Sequence, residues 1–303
     1  MKIRWIVLVS LLLLSSKALA GEGDALPFSR IDRNPVTSAF AGAGAAFNGS
    51  AAYSAFGGAA MLPFYKGSLD ASLAYQRWAP ALSPENHISA GAAYKILPNL
   101  GVALGYSLGS GTPYEVYSDI GQADGTFYPK NHVLALGVGY GITEWLSIGA
   151  NLRYVRDLPA PETAYAGVSA DLFAAFQPNE NLRFAAGVST LGGPVASVPQ
   201  PASAKVAARW GITLSGAHAL EVLADADYYF SGVFSAAAGF QYGWNGMLFF
   251  RAGYRLAPEK CVIPAHLALG LGFHYYGFGL DVSYLTASPL LGNTLNFGLS
   301  YSF

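Results

Sequence analysis

Apolar and polar residues alternate along most of this chain. In residues 145–157, WLSIGANLRYVRD, Leu146, Ile148, Leu152 and Tyr154 interleave with Ser147, Gly149, Asn151 and Arg153. A period of two puts successive side chains on opposite faces of a β-strand, here one apolar face and one polar or small face. The pattern recurs in fourteen segments: 67–79, 86–97, 100–109, 130–142, 145–156, 163–177, 182–191, 204–214, 219–230, 233–244, 247–256, 264–275, 278–285 and 293–303. Most are about ten to thirteen residues long, near the length of a strand tilted across a bilayer. The even number brings both ends of the sheet to the same rim.

The connections sort by parity. After even-numbered segments they are tight, at 98–99, 143–144, 178–181, 215–218, 245–246 and 276–277. Asn245-Gly246 between two alternating runs is a strong hairpin signal. After odd-numbered segments they are longer, at 80–85, 110–129, 157–162, 192–203, 257–263 and 286–292, with 231–232 the short exception. Short turns on one rim and long loops on the other characterise outer-membrane barrels, whose short turns lie in the periplasm. A soluble sandwich has no reason to sort its loops this way.

The faces agree. Leu134, Leu136, Val138 and Tyr140 share one side of their segment, and Leu295, Phe297, Leu299, Tyr301 and Phe303 share one side of the last. The strand charges fall on the opposite face: Asp70, Lys95, Arg153, Asp171, Arg183, Lys205, Arg209, Glu221, Asp225, Asp227, Arg251, Arg255 and Asp281. A dry core would penalise each ion unless it were paired. A hydrated or plugged lumen accommodates them. Arg77 is out of step and would point outward, where a strand-end position lets it snorkel to the interface.

Composition narrows the choice further. Only 12% of the residues are charged and 52% are hydrophobic, against about a quarter charged in soluble proteins. No apolar run after residue 20 is long enough to span a bilayer as a helix, which leaves a closed barrel as the membrane option. The net charge of -1 offers no basic stripe to a nucleic acid. Cys261 is the only cysteine, so an internal disulfide and a cysteine-rich metal site are both excluded. Residues 1–20 carry Lys2 and Arg4, an apolar run, and Ala18-Leu19-Ala20 as a small-x-small cleavage site, the form of a secretory signal peptide. The expectation is an all-β, fourteen-stranded antiparallel transmembrane barrel over 67–303, in contact with outer-membrane lipid.

Residues 21–66 lack a sustained period but hold spaced aromatics, including Phe40, Phe47, Tyr53 and Phe56. Disordered tails are poor in aromatics, so this periplasmic-side leader is expected to pack as a plug inside the barrel. Its AFAGAGAAF stretch at 39–47, polar break at 48–50, and Ala51-Ala52-Tyr53, set before fourteen strands, resemble the superfamily that joins FadL-type transporters of hydrophobic substrates to the PorV and PorQ proteins of type IX secretion. Gly42, Gly44, Ala46 and Phe47 fit a G-x-G-x-A-F stretch, whereas 54–58, SAFGG, stands where Asn-Pro-Ala is expected.

Candidate chemistry is sparse. GVGYG at 137–141 and AGAGAAF at 41–47 do not open helices after buried parallel strands, so a nucleotide loop fails on context. No two of the five histidines have metal-ligand spacing on one element. His132 and His266 near the outer rim keep a lipid-modifying enzyme as a lesser alternative, but His266 would face inward, away from lipid. No catalytic residue, metal or cofactor is therefore assigned. Two readings of function remain. The resemblance to PorV and PorQ implies a secretion component whose outer loops hold a protein partner, with Tyr114, Tyr117, Phe127 and Tyr128 as an aromatic recognition surface. The alternative is a FadL-like channel for hydrophobic small molecules with the leader as hatch, in which loop 110–129 could equally fold into the pore. The terminal Tyr301-Ser302-Phe303 resembles the signal read by the barrel-assembly machinery.

Overall fold

The computed structural model describes residues 24–79, 84–118 and 120–303. The expected signal peptide lies outside them. The strands are β1 (Leu69–Trp78), β2 (Glu85–Leu97), β3 (Leu100–Ser110), β4 (Tyr114–Tyr117), β5 (Ala123–Phe127), β6 (Lys130–Gly141), β7 (Leu146–Ala160), β8 (Thr163–Asn179), β9 (Leu182–Gly192), β10 (Ser203–Ser215), β11 (His218–Tyr229), β12 (Phe234–Trp244), β13 (Leu248–Leu256), β14 (His266–Tyr275), β15 (Phe278–Thr286) and β16 (Thr294–Ser302). All except β4 and β5 close into one antiparallel barrel of fourteen strands, in which β1 pairs with both β2 and β16. Each expected strand is present, with its ends at or within a few residues of the expected positions. Among the described residues no helix is long and apolar enough to cross a membrane.

One connection differs from its expectation. Loop 110–129 is not a plain loop, nor is it folded into the pore. β4 and β5 form a separate two-stranded hairpin, with Tyr114 opposite Phe127, and most of its residues are exposed. Tyr114 Oη donates to Pro159 O at 2.8 Å, tying the hairpin to the end of β7.

The outward face is continuous hydrocarbon. Leu104, Leu136, Leu152, Leu172, Val222 and Leu271 are all about half exposed on strand centres. Aromatics gather near both strand ends, as interfacial girdles do. Trp145, Phe176 and Phe184 interlock near the short-turn rim, and Tyr106, Tyr154, Tyr228 and Tyr254 lie exposed toward the loop rim. The tight turns use the geometry their residues allow: Asn245 and Gly246 both have positive φ, 53° and 64°, the type I′ pattern that suits a two-residue hairpin.

The barrel closes where β1 meets β16, with Asp70 opposite Ser302. Backbone bonds from Ser68 N and Leu69 N to Phe303 O, and from Phe303 N to Leu69 O, extend the ladder to the last residue. Inside the seam the buried Asp70 carboxylate accepts from Ser50 Oγ (3.1 Å), Ala52 N (3.0 Å), Tyr65 Oη (2.6 Å) and Ser302 Oγ (2.8 Å).

Residues 24–66 lie against the inner wall from one rim to the other. Near the loop rim Ala25 N donates to Pro199 O at 2.8 Å, and Leu26, Phe28 and Ile31 cluster with Val133, Val155 and Val195. A single helical turn, α1 (Pro35–Ser38), starts where Asn34 Oδ1 accepts from Val36 N at 2.9 Å, a side-chain N-cap followed by proline at the first helical position. It packs on β14, β15 and β16. Two 3₁₀ stretches, Ala52–Ala55 and Ala59–Phe64, cross the inner faces of β2, β3, β6 and β7. Glycine on the wall makes this approach possible. A Cβ on Gly253 would overlap the backbone of Phe40, and one on Gly149 the backbone of Ala60.

Candidate functional site

The leader leaves two spaces. An inner cavity of about 210 Å³ lies between leader residues 29–58 and the loop-side half of the barrel. An outer vestibule of about 450 Å³ sits under the loop rim, lined by Phe28, Glu85, Lys130, Asn131, Asp157 and Val262 among others. Ile31, Trp78 and Ile263 border both spaces. These three apolar side chains stand at the boundary between the vestibule and the interior.

Charged side chains line the inner cavity among apolar ones. On its wall Asp227 receives three cations: Arg30 of the leader at 3.3 Å, Lys205 at 3.5 Å and Arg255 at 3.7 Å. Lys205 also reaches Asp225 at 3.5 Å, and Asp225 accepts from the backbone N–H groups of Gly44 and Ala45. Arg153 pairs with Asp171 at 2.5 Å and donates to Phe56 O. Arg255 donates through Nε to Ala41 O and through a terminal nitrogen to Ser235 Oγ. Three of these wall charges do double duty: Arg153, Asp225 and Arg255 each meet an opposite charge on the wall and also bond a backbone group of the leader. The alternation of the strands accounts for this, because Asp225 and Asp227 sit two apart on β11, facing Lys205 on β10 and Arg255 across β12.

The other expected lumen charges form separate groups nearer the short-turn rim. Arg183 donates to Gln177 Oε1 (2.8 Å) and Ala46 O (3.2 Å). Arg209 pairs with Glu221. Arg251 and His274 share Asp281, at 2.6 and 3.0 Å. Arg153, Asp171, Asp225, Asp227 and Arg255 thus come together around the loop-side interior. Arg183, Arg209, Arg251 and Asp281 do not.

Of the leader aromatics, Phe40 is fully buried and meets Phe47 edge-on at 5.4 Å. Tyr53 is buried and, with Phe47 and Phe56, lines the inner cavity. Sequence reasoning passed over the leader's own charges, Arg30, Asp32 and Arg33, which line the cavity as well. The signal was available: SRIDRN at 29–34 holds three of the six charged residues of the 21–66 leader. Burial raises the Asp32 carboxyl above the ordinary carboxylate range. Burial, helped by the Arg153 charge, pulls the Arg33 guanidinium down to about 9.

The wall beside this cavity is irregular. Pairing between β8 and β9 shifts register between Ala170 and Leu172, and Thr190 takes a φ of 57°. That conformation is an outlier for a β-branched residue. It is held by Thr190 N donating to Asp171 Oδ1 at 2.7 Å, and by Arg153 and Arg30 donating to Thr190 Oγ1 at 3.1 and 3.3 Å. On the outside, Tyr114, Tyr117 and Tyr128 are exposed and Phe127 is half-buried. They lie on the hairpin and its flank, away from both cavities' charged walls.

No protein-family model matches this sequence, and no curated protein matches it. Solved structures do resemble it. The toluene transporter TbuX of Ralstonia pickettii superposes with a TM-score of 0.62 at 13% identity, over 90% of this chain and 98% of its own. The monoaromatic hydrocarbon channel CymD gives 0.59 at 15% identity, over 93% and 99%. The toluene transporter TodX of P. putida gives 0.59 at 13% identity, over 85% and 96%. These neighbours are transporters and channels rather than enzymes. The chain is an outer-membrane type β-barrel of fourteen strands that shares its fold with these solved transporter and channel structures.

Proposed function

We propose that this protein is a conduit for hydrophobic small molecules across the outer membrane, with residues 24–66 as its internal closure. The observation that carries the reading is the pair of spaces in series. A vestibule open to the loop rim and a cavity inside the barrel meet at Ile31, Trp78 and Ile263, and the leader occupies the rest of the way. A small molecule entering from outside would cross a vestibule of mixed polar and apolar lining and then meet the apolar boundary, to which the leader contributes Ile31. The resemblance to structures of hydrocarbon channels supports the same choice. The secretion reading, with a PorV-like or PorQ-like role, draws nothing from those neighbours. It rests on the exposed aromatic hairpin around Tyr114 and Tyr117.

Uptake of labelled toluene by host cells with a lipopolysaccharide outer leaflet tests the proposal. Cells carrying the protein should accumulate label faster than cells with an empty vector. Substituting Ile31 by Asp, which sets an uncompensated charge at the apolar boundary, should slow that gain. Equal uptake with and without the protein, at matched levels of heat-modifiable barrel, rejects the reading.

A further inference from the structure

Arg33 differs from every other cation around the inner cavity. Arg30, Arg153, Lys205 and Arg255 each meet a carboxylate, whereas Arg33 takes part in no ion pair among the described residues. Its terminal nitrogens donate to Ile31 O (2.8 Å) and Phe28 O (3.0 Å), and its Nε has no hydrogen-bond partner. The side chain is 3% exposed and lines the cavity. Phe56 lies under the guanidinium, 5.5 Å from ring centre to the charge. The Asp32 carboxylate acts on this charge only from beyond ion-pair distance; a buried cation without a contacting counter-ion is costly to a fold, and a bare N–H of a buried guanidinium adds an unmet donor. An anionic ligand would remove both penalties with a charge-assisted bond.

The cavity's size and walls limit what that anion can be. Its volume of about 210 Å³ exceeds the roughly 150 Å³ that holds a benzene ring, leaving space for one ring and a small substituent. Phe47, Phe56, Phe173 and Trp78 contribute aromatic surface to it. We infer that the inner cavity takes a single-ring aromatic acid, its carboxylate on Arg33 and its ring among these side chains, in preference to a neutral arene. This deepens the proposed conduit function and rests on it, adding a charged substituent to the substrate class.

The test uses the full mature chain in detergent, titrated calorimetrically at pH 7.5 with benzoate, benzyl alcohol and toluene. Benzoate should bind saturably at one site, at least tenfold more tightly than benzyl alcohol. Arg33→Gln should weaken benzoate tenfold or more and leave toluene within twofold, while Arg33→Lys keeps most of the benzoate affinity. Toluene binding without saturable benzoate binding overturns the inference and leaves the conduit reading in place. Binding of no aromatic at all removes both. Equal loss of benzoate and toluene in Arg33→Gln assigns Arg33 to holding the leader and overturns the inference. If Arg33→Gln does not assemble, the wild-type preference decides: equal affinity for benzoate and benzyl alcohol overturns it.

Discussion

At the scale of single residues, the interior is held by charges that have left water and must be matched. Asp171 is the clearest case, since it neutralises buried Arg153 and also accepts the backbone N–H of Thr190 in its unusual conformation. Asp171→Ala should cost about 3–5 kcal/mol, because it strands a buried arginine. Replacing both partners, with Arg153→Met and Asp171→Leu, should recover much of that loss. Denaturant midpoints of the detergent-folded barrel distinguish the two, and equal midpoints would show the pair to be idle. Asp32 gives a pH effect of opposite sense to an ordinary paired carboxylate. Burial raises its pKa, so the docked leader keeps this proton to higher pH than a free leader does. The Asp32 contribution to docking is complete below about pH 4, the ordinary carboxylate value, and is lost as pH rises through the raised one. Asp32→Asn should therefore slow hydrogen exchange across 24–66 at pH 7 and make little difference in acid.

At the scale of elements, the wall was legible and its irregularities were not. Lipid on one side and a small-residue interior on the other impose alternation on every strand, so the pattern of Leu134, Leu136, Val138 and Tyr140 could be read directly. The hairpin of β4 and β5 carries no such imprint. Its strands are short, stand clear of the membrane, and include Gly125 and Asp124, so nothing in the chain distinguishes them from loop. Nor did any residue type mark the register shift at Thr190, which depends on Asp171 and Arg153 from other strands. The candidate cavity was half legible for the same reason. Strand charges betray their face by parity, but Arg30 and Arg33 belong to an aperiodic segment whose placement is set by contacts distant in sequence. The seam supplies a further test. Phe303 completes the ladder with Leu69 beside the Asp70 cluster, so deleting it removes the last backbone bonds of closure. The deletion should lower the heat-modifiable fraction in the outer membrane; an unchanged fraction would leave Phe303 as an interfacial anchor only.

At the scale of the whole molecule, the leader enters at one rim and leaves at the other. Ala25 bonds beneath the long loops, and Tyr65 bonds beside the seam at the short-turn rim, just before β1 begins. A cord that traverses a cylinder from end to end, and whose tail becomes the first stave, is awkward to insert once the hoop is shut. The order of assembly follows: the staves must curl around the cord, with β1 and β16 meeting last. A barrel made from residues 67–303 alone should then stay empty when a peptide of residues 21–66 is added afterwards, yet fill when the two fragments are refolded together. Capture of the peptide by the preformed cylinder would mean that the way in stays wide enough for a polypeptide to pass.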